Sequence, residues 1–259
     1  MIRITLSGAL GRMGREIISL VKTQDNLQVV SGIEQPGHPM LGQRFEDIPI
    51  TDDIARSLGR TDCIVDFSSP AATLANLKKA GKTKIPWVIG TTGFSEPERA
   101  LVSSYGENFP LIFSPNMSIG VNLMFELVRT AARHLPKGYD VEIVEMHHRH
   151  KKDAPSGTAK RLAEIVQEEK EGSFIYGREG TVGPRPEKEI GILALRGGDV
   201  VGEHTVIFAA EGERFELKHQ VTNRAAFAQG VIEAVRFIVR QKPGLYSMAE
   251  VISGHGGEG

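Results

Sequence analysis

The chain opens with a short apolar run, Ile2–Leu6, that enters a glycine-rich turn, Gly8-Ala9-Leu10-Gly11-Arg12-Met13-Gly14, and leaves it as a helix. No other feature constrains the fold as tightly. Within Gly11–Lys22 the residues Met13, Ile17, Leu20 and Val21 fall on one helical face. A helix that follows a strand this closely carries the chain back over a sheet, so the next run, Leu27–Ile33, is expected to lie parallel to the first. The pattern repeats. Cys63–Phe67 precedes a helix around Ala71–Ala80, Pro86–Ile89 precedes a helix over Glu96–Tyr105, and Leu111–Phe113 is a further strand. Gln35-Pro36-Gly37-His38-Pro39 reads as loop. Strands alternating with helices at this spacing predict a parallel sheet covered on both faces.

The glycine turn also has a chemical reading. Its glycines permit close approach of backbone to a pyrophosphate, and the helix start supplies N–H groups and partial positive charge. Twenty residues after Gly14, at the end of the second strand, stands Glu34, placed to bind an adenosine ribose. The spacing is GxxGxxG, because Leu10 occupies the usual second-glycine slot. The competing reading is that the glycines only pack helix on strand. Gly90-Thr91-Thr92-Gly93 and Ser114-Pro115-Asn116-Met117 also follow strands of this sheet, where open parallel sheets bind ligands. They are candidates for the nicotinamide half, or plain turns.

After Asn116 the style changes. A helix is predicted over Val121–Leu135, a strand over Val141–Met146, and a helix from near Ser156 to about Glu169. Three β runs follow: Ile190–Leu195, His204–Ala209 and Arg214–Val221. The last places Phe215, Leu217, His219 and Val221 on one face, so one face of this sheet is covered. The turns Gly197-Gly198-Asp199 and Glu211-Gly212-Glu213 predict antiparallel hairpins. Ala225–Arg240 returns to helix. The expected class is α/β: a Rossmann-type parallel-sheet nucleotide domain plus an α+β domain with a mixed or antiparallel sheet.

Between strand and helix lies Glu145-Met146-His147-His148-Arg149-His150-Lys151-Lys152-Asp153-Ala154-Pro155-Ser156-Gly157-Thr158. Cations there, with the N–H groups of Gly157 and Thr158 and the hydroxyls of Ser156 and Thr158, make a site for carboxylates or phosphates. Histidine adds proton transfer near neutral pH. A solvated basic loop is the alternative. A metal site is disfavoured, since no HExxH occurs and Glu145 is the one adjacent acid in the histidine stretch. Nucleic acid is disfavoured by the net charge of −1 and by the lack of aromatic residues in this loop. The single Cys63 excludes an internal disulfide framework. No apolar run of ~18 residues spans a bilayer. The start carries no apolar run bounded as a secretion signal, so a cytoplasmic setting is expected.

Residues Glu145 to Ala159, read as Glu-x-His-His-Arg-His-Lys-x-Asp-Ala-Pro-Ser-Gly-Thr-Ala, closely resemble the signature of the bacterial dihydrodipicolinate reductase (4-hydroxy-tetrahydrodipicolinate reductase) family. Further matches run in family order: Gly8–Gly14, Val88–Phe94, Ser114–Asn122 and Gly198–Thr205. The resemblance implies NADH or NADPH reduction of a cyclic dicarboxylate in the diaminopimelate branch of lysine synthesis. It implies a dinucleotide domain over 1–118 and 224–259, and a domain for substrate and homotetramer formation over 119–223, with hinge motion between them. Its proton donor falls on His147 and its assisting lysine on Lys151. Substrate carboxylates fall to His148, Lys151, Ser156, Gly157 and Thr158. The cofactor falls to Gly8 through Met13, Glu34, Gly90, Thr91, Thr92, Ser114, Pro115, Asn116 and Met117. His150 receives no role.

Two departures bear on cofactor choice. Some family members carry Arg directly after the acid; here it is Gln35. An arginine often precedes the proline after Asp66-Phe67; here Ser69 precedes Pro70. NADH is therefore expected to serve at least as well as NADPH. Two other readings stand beside this one. A nucleotide-sensing module without turnover is disfavoured by the acid/base loop. An acylating semialdehyde dehydrogenase needs a nucleophilic cysteine, and Cys63 lies within an apolar strand.

Overall fold

The computed structural model describes residues 1–254; residues 255–259, the end of the expected segment 224–259, lie outside the described residues. The chain divides into two compact units, Met1–Ile119 with Ala225–Gly259, and Gly120–Arg224. It begins β1 (Ile2–Ser7), α1 (Arg12–Val21), β2 (Leu27–Ile33), β3 (Arg44–Phe45), β4 (Ile48–Thr51), β5 (Cys63–Asp66), α2 (Pro70–Ala80), β6 (Trp87–Ile89), α3 (Glu96–Ser104) and β7 (Pro110–Phe113). Next come α4 (Ile119–His134), β8 (Asp140–His147), α5 (Gly157–Glu169), β9 (Ser173–Tyr176), β10 (Glu189–Arg196), β11 (Gly202–Ala210) and β12 (Glu213–Val221). It ends α6 (Ala225–Ile238), β13 (Gly244–Tyr246) and α7 (Met248–Gly254). Among the described residues no helix is long and apolar enough to cross a membrane.

In the first unit the sheet order is β13-β7-β6-β5-β1-β2-β4-β3. Its pairings are parallel except β3 against β4. Side chains alternate between two cores. Cys63, Val65 and Val88 join Ile17 and Val21 of α1 and Val231 and Val235 of α6. Ile64, Trp87 and Ile89 join Leu77 of α2 and Val102 of α3. A strand buried on both faces reads as a continuous apolar run, which is why Cys63–Val65 and Trp87–Ile89 show no polar alternation. Each fully buried aliphatic side chain is worth about 1.5–3 kcal/mol.

The second unit carries a mixed sheet, ordered β12-β11-β8-β10-β9. Along β8, Val141, Ile143, Glu145 and His147 are buried and alternate with half-buried neighbours. That face packs on Met124 and Val128 of α4 and on Leu162 and Val166 of α5. The Glu211-Gly212 turn does join an antiparallel pair, β11 and β12, with Gly212 at φ +80°. The hairpin predicted at Gly197-Gly198-Asp199 does not form. β10 pairs with β8 in parallel, and β11 pairs with the other edge of β8 in antiparallel fashion. The glycine turn therefore crosses the end of β8, where Gly197 N donates to His147 O (3.0 Å) and Arg149 N donates to Gly198 O (3.2 Å). A turn sequence reports local backbone conformation and not which strands it ends up joining.

Helix α6 sets the tightest steric condition on the first unit. A Cβ at Gly230 would stand 1.7 Å from the carbonyl oxygen of Met117. Backbone cannot yield there as a side chain would. Gly230→Ala is predicted to destabilise the protein by at least about 1–3 kcal/mol, the cost of overpacking. Urea denaturation checks this, and an unchanged midpoint would contradict the close approach of α6 to the segment that ends at Met117.

Candidate active site

The order of the first sheet reverses beside β1, whose neighbours are β2 and β5. In such sheets the ligand crevice lies at this switch point. Gly8 has φ +75°, and a Cβ on it would meet Phe67 O at 2.4 Å; a Cβ on Gly14 would meet Gly8 O at 2.2 Å. These two glycines are required by packing of turn on strand and helix on turn. Gly11 differs: it is exposed and caps α1 without a side chain. Glu34 reaches the turn, and its Oε1 accepts a hydrogen bond from Leu10 N at 2.6 Å. One carboxylate oxygen is thereby anchored beside the helix start.

The ends of β5 and β6 are joined through Asp66, which is fully buried. Its Oδ1 accepts from Ser68 N (3.0 Å), Ser68 Oγ (2.6 Å), Thr73 Oγ1 (3.1 Å) and Thr91 Oγ1 (2.8 Å). Burial pushes this carboxyl upward, and those hydrogen bonds pull against it. Gly90 lies against the Phe67 ring, where a Cβ would stand 2.3 Å from ring carbons. Beyond β7, Ser114 Oγ donates to Asn116 O at 2.8 Å, and Ser118 N donates to Asn116 Oδ1 at 2.9 Å. A cavity of about 240 Å³ opens beside Thr91, Thr92, Phe113 and Pro115. Cys63 is buried, and burial raises its thiol, so it is no nucleophile.

In the second unit, strand period places Glu145 and His147 on one face. Glu145 is 0% exposed. Its Oε2 accepts from His147 Nδ1 (2.6 Å) and Arg196 Nη1 (2.8 Å), and its Oε1 accepts from Arg196 Nη2 (2.9 Å) and Ser156 N (3.0 Å). Burial alone pushes the carboxyl up; the hydrogen bonds from His147, Arg196 and Ser156 outweigh it and hold Glu145 at about 2. Ser156 caps α5, with its Oγ accepting from Ala159 N at 3.2 Å. The same Oγ lies 3.1 Å from His204 Nε2, and the His147 and His204 rings meet edge to face at 5.2 Å. Burial, then the neighbouring His147, lowers His204 to about 3.

His147 and Ser156 thus converge on one carboxylate. Gly157 and Thr158 form the first turn of α5 beside them. Lys151 and His148 sit in the loop above: Lys151 Nζ pairs with Asp153 Oδ1 at 2.9 Å, and Lys151 N donates to His148 O at 3.1 Å. The His148 ring lies 6.2 Å from that of His150. Burial lowers His148, with Arg224 and nearby histidines adding to it. Among the described residues no group of three or more His, Cys, Asp or Glu side chains converges as a metal ligand set. Sequence reasoning missed Arg196 and His204. The signal lay in strand register, since Arg196 stands opposite His147 and His204 opposite Glu145.

Fold and site together define a pyridine-nucleotide oxidoreductase, with a doubly covered parallel sheet and a second unit built on a mixed sheet. Profiles described as "Dihydrodipicolinate reductase, N-terminus" and "Dihydrodipicolinate reductase, C-terminus" match residues 2–117 and 120–252. The chain belongs to the dihydrodipicolinate reductase family. It is 43% identical to the 4-hydroxy-tetrahydrodipicolinate reductase of Nitrosomonas europaea, over 97% of this chain and 98% of that one. It is 44% identical to that of Syntrophus aciditrophicus, over 97% and 98%. A dipicolinate-bound dihydrodipicolinate reductase from Paenisporosarcina sp. TG-14 superposes with a TM-score of 0.80 at 28% identity, covering 95% of this chain and 97% of that one.

The buried histidines make stability depend on pH. His204 and His219 are both lowered by burial. A histidine held neutral in the fold contributes stability above its unfolded value, about 6.5, and that stability drains away as pH falls toward its folded value. The melting temperature is predicted to fall between pH 7 and pH 5. His204→Gln, which takes up no proton, should show a shallower fall, and equal slopes would remove His204 as a source.

Proposed function

We propose that this chain reduces 4-hydroxy-tetrahydrodipicolinate to tetrahydrodipicolinate with loss of water, in the diaminopimelate branch of lysine synthesis in the cytoplasm. The observation that carries the mechanism is the His147–Glu145 pair, closed by Ser156 at the start of α5. The first unit fits a pyridine nucleotide. Gly11 leaves the helix start uncovered, and Glu34 is anchored beside it. Gly8 through Met13, Glu34, Gly90 through Thr92 and Ser114 through Met117 would hold the cofactor. When bound, reduced nicotinamide supplies the hydride that goes to ring carbon 4. His147 donates the proton that the electron-rich ring then requires. Lys151, His148, Ser156, Gly157 and Thr158 bind the two carboxylates, and Lys151 also stabilises developing negative charge. To do so its ammonium exchanges the Asp153 carboxylate for one of the substrate. A homotetramer built on the second sheet accounts for its uncovered face, where Leu193 and Leu195 are 46% and 41% exposed.

Turnover is tested with purified protein, freshly made substrate and NADH, followed by absorbance loss. His147→Gln should lower kcat by ~10²–10⁴ with little change in KM, the share of a general acid. No turnover above blank with either cofactor overturns the reading, and an unchanged kcat in the variant reassigns the proton donor.

Cofactor preference follows from the cations near Glu34. A 2′-phosphate beside Glu34 meets negative charge, and Gln35 offers none to offset it. Arg44 donates through Nη2 to Asp47 O, and Arg15 donates to Leu10 O at 2.9 Å while stacking on Phe45. Ser69 caps α2. NADH should be used at least as well as NADPH, and Gln35→Arg should move kcat/KM toward NADPH by restoring a phosphate partner. A tenfold preference of the unaltered protein for NADPH would overturn this.

A further inference from the structure

We infer that Glu145 is a positioning residue for proton transfer: it fixes His147 in the tautomer that carries hydrogen on Nδ1, so that Nε2 is the atom that gives and takes the proton. The inference rests on the assignment of His147 as proton donor. Every acceptor position on the Glu145 carboxylate is filled by an N–H, two from Arg196, one from Ser156 and one from His147. The carboxylate is ionised, with no proton of its own to give. The hydrogen in the 2.6 Å contact therefore belongs to Nδ1.

Gly202 lies against the opposite edge of the ring. Gly202 pairs β11 with β12 and has no positive φ that would call for glycine. A Cβ there would stand 3.1 Å from His147 Nε2 and 3.5 Å from its Cδ2. Glycine at this position leaves room beside the nitrogen that exchanges the proton. His204 packs edge-on against His147, and Arg196 stands opposite His147 in the register of the neighbouring strand.

The shared carboxylate has a second consequence. Glu145 holds the Ser156 backbone N–H with the oxygen that His147 does not use. The acid and the anion-binding start of α5 are therefore set by one rigid group. Arg196 meets both oxygens, so its charge balances the carboxylate, and Glu145 acts on His147 by orientation more than by net charge.

Glu145→Gln removes one oxygen while four N–H groups still converge there. The arrangement with fewest donor–donor conflicts turns the amide NH₂ toward His147 and forces the other tautomer. The variant should lose kcat by ~10²–10³-fold, since a general acid in the wrong tautomer loses most of its effect. KM for NADH should change less than about twofold, because the first unit is untouched. Glu145→Gln combined with His147→Gln should be no slower than His147→Gln alone, because Glu145 acts through His147. A merely structural role would make the two losses multiply.

Nitrogen-15 NMR of histidine-labelled wild-type protein, with the His147 signals assigned by their loss in His147→Gln, reads the tautomer even if the Glu145 variant does not fold. The ring that donates is the imidazolium, with Nδ1–H held by Glu145 and the transferable proton on Nε2; in spectra recorded at a pH high enough to remove that proton, the expected result is hydrogen retained on Nδ1 and a lone pair on Nε2. A ring that at this pH keeps its hydrogen on Nε2, a Glu145→Gln enzyme with wild-type kcat, or multiplying losses in the double variant overturns the inference. A His147→Gln enzyme of full activity would instead overturn the assignment of the acid on which it rests.

Discussion

A charge with no access to water governs the second unit. Glu145 sits in the face of the mixed sheet that the helices cover, and burial alone would make it neutral. Four N–H groups from three residues keep it ionised, and each residue answers a different demand on the fold. Arg196 reaches it because β10 runs parallel to β8 in the register that sets Arg196 opposite His147. Ser156 reaches it because the chain turns back after Asp153, whose carbonyl also accepts from Arg196 at 2.6 Å. His147 reaches it through strand period alone. Breaking such a buried pair costs about 3–5 kcal/mol, because an unpaired charge is left behind. The groups proposed to perform the chemistry are therefore also the ones that hold this end of the sheet together.

The first unit solves a different problem. Its strand ends are close-packed, yet the start of α1 stays exposed. Gly8 and Gly14 achieve the packing, with carbonyl oxygens where their Cβ atoms would be. Gly11, at the cap of α1, is exposed. Asp66 ties the segments after β5 and β6 to α2 through a single buried oxygen shared by Ser68, Thr73 and Thr91. Side chains that look like plain turn residues are joined by hydrogen bonds to one carboxylate.

Much of this was legible in the residues. The alternation of apolar runs with helical stripes predicts the parallel sheet; along β12 the predicted face is covered at Leu217, His219 and Val221 but not at Phe215, which is 42% exposed near the start of the strand. The glycine turn, Glu34 and the histidine–lysine loop are visible because each concentrates chemistry within a short stretch. Of the two readings of the glycines, the packing one holds for Gly8 and Gly14, while Gly11 is exposed at the start of α1. Short strands such as Arg44–Phe45, Ser173–Tyr176 and Gly244–Tyr246 were not legible, since two to four residues carry too little periodicity to separate strand from loop.

By itself the sequence determined the local elements, the family, and the residue types available for hydride and proton chemistry, because propensity, period and motif act within a few residues. Only the tertiary structure decided the partners. It placed β8 between β10 and β11, where glycine spacing predicted a hairpin, and thereby set Arg196 and His204 around Glu145 and His147. The reason is physical. A turn fixes the angles of its own backbone, whereas the neighbour of a strand is chosen by the packing of helices α4 and α5 on the whole sheet.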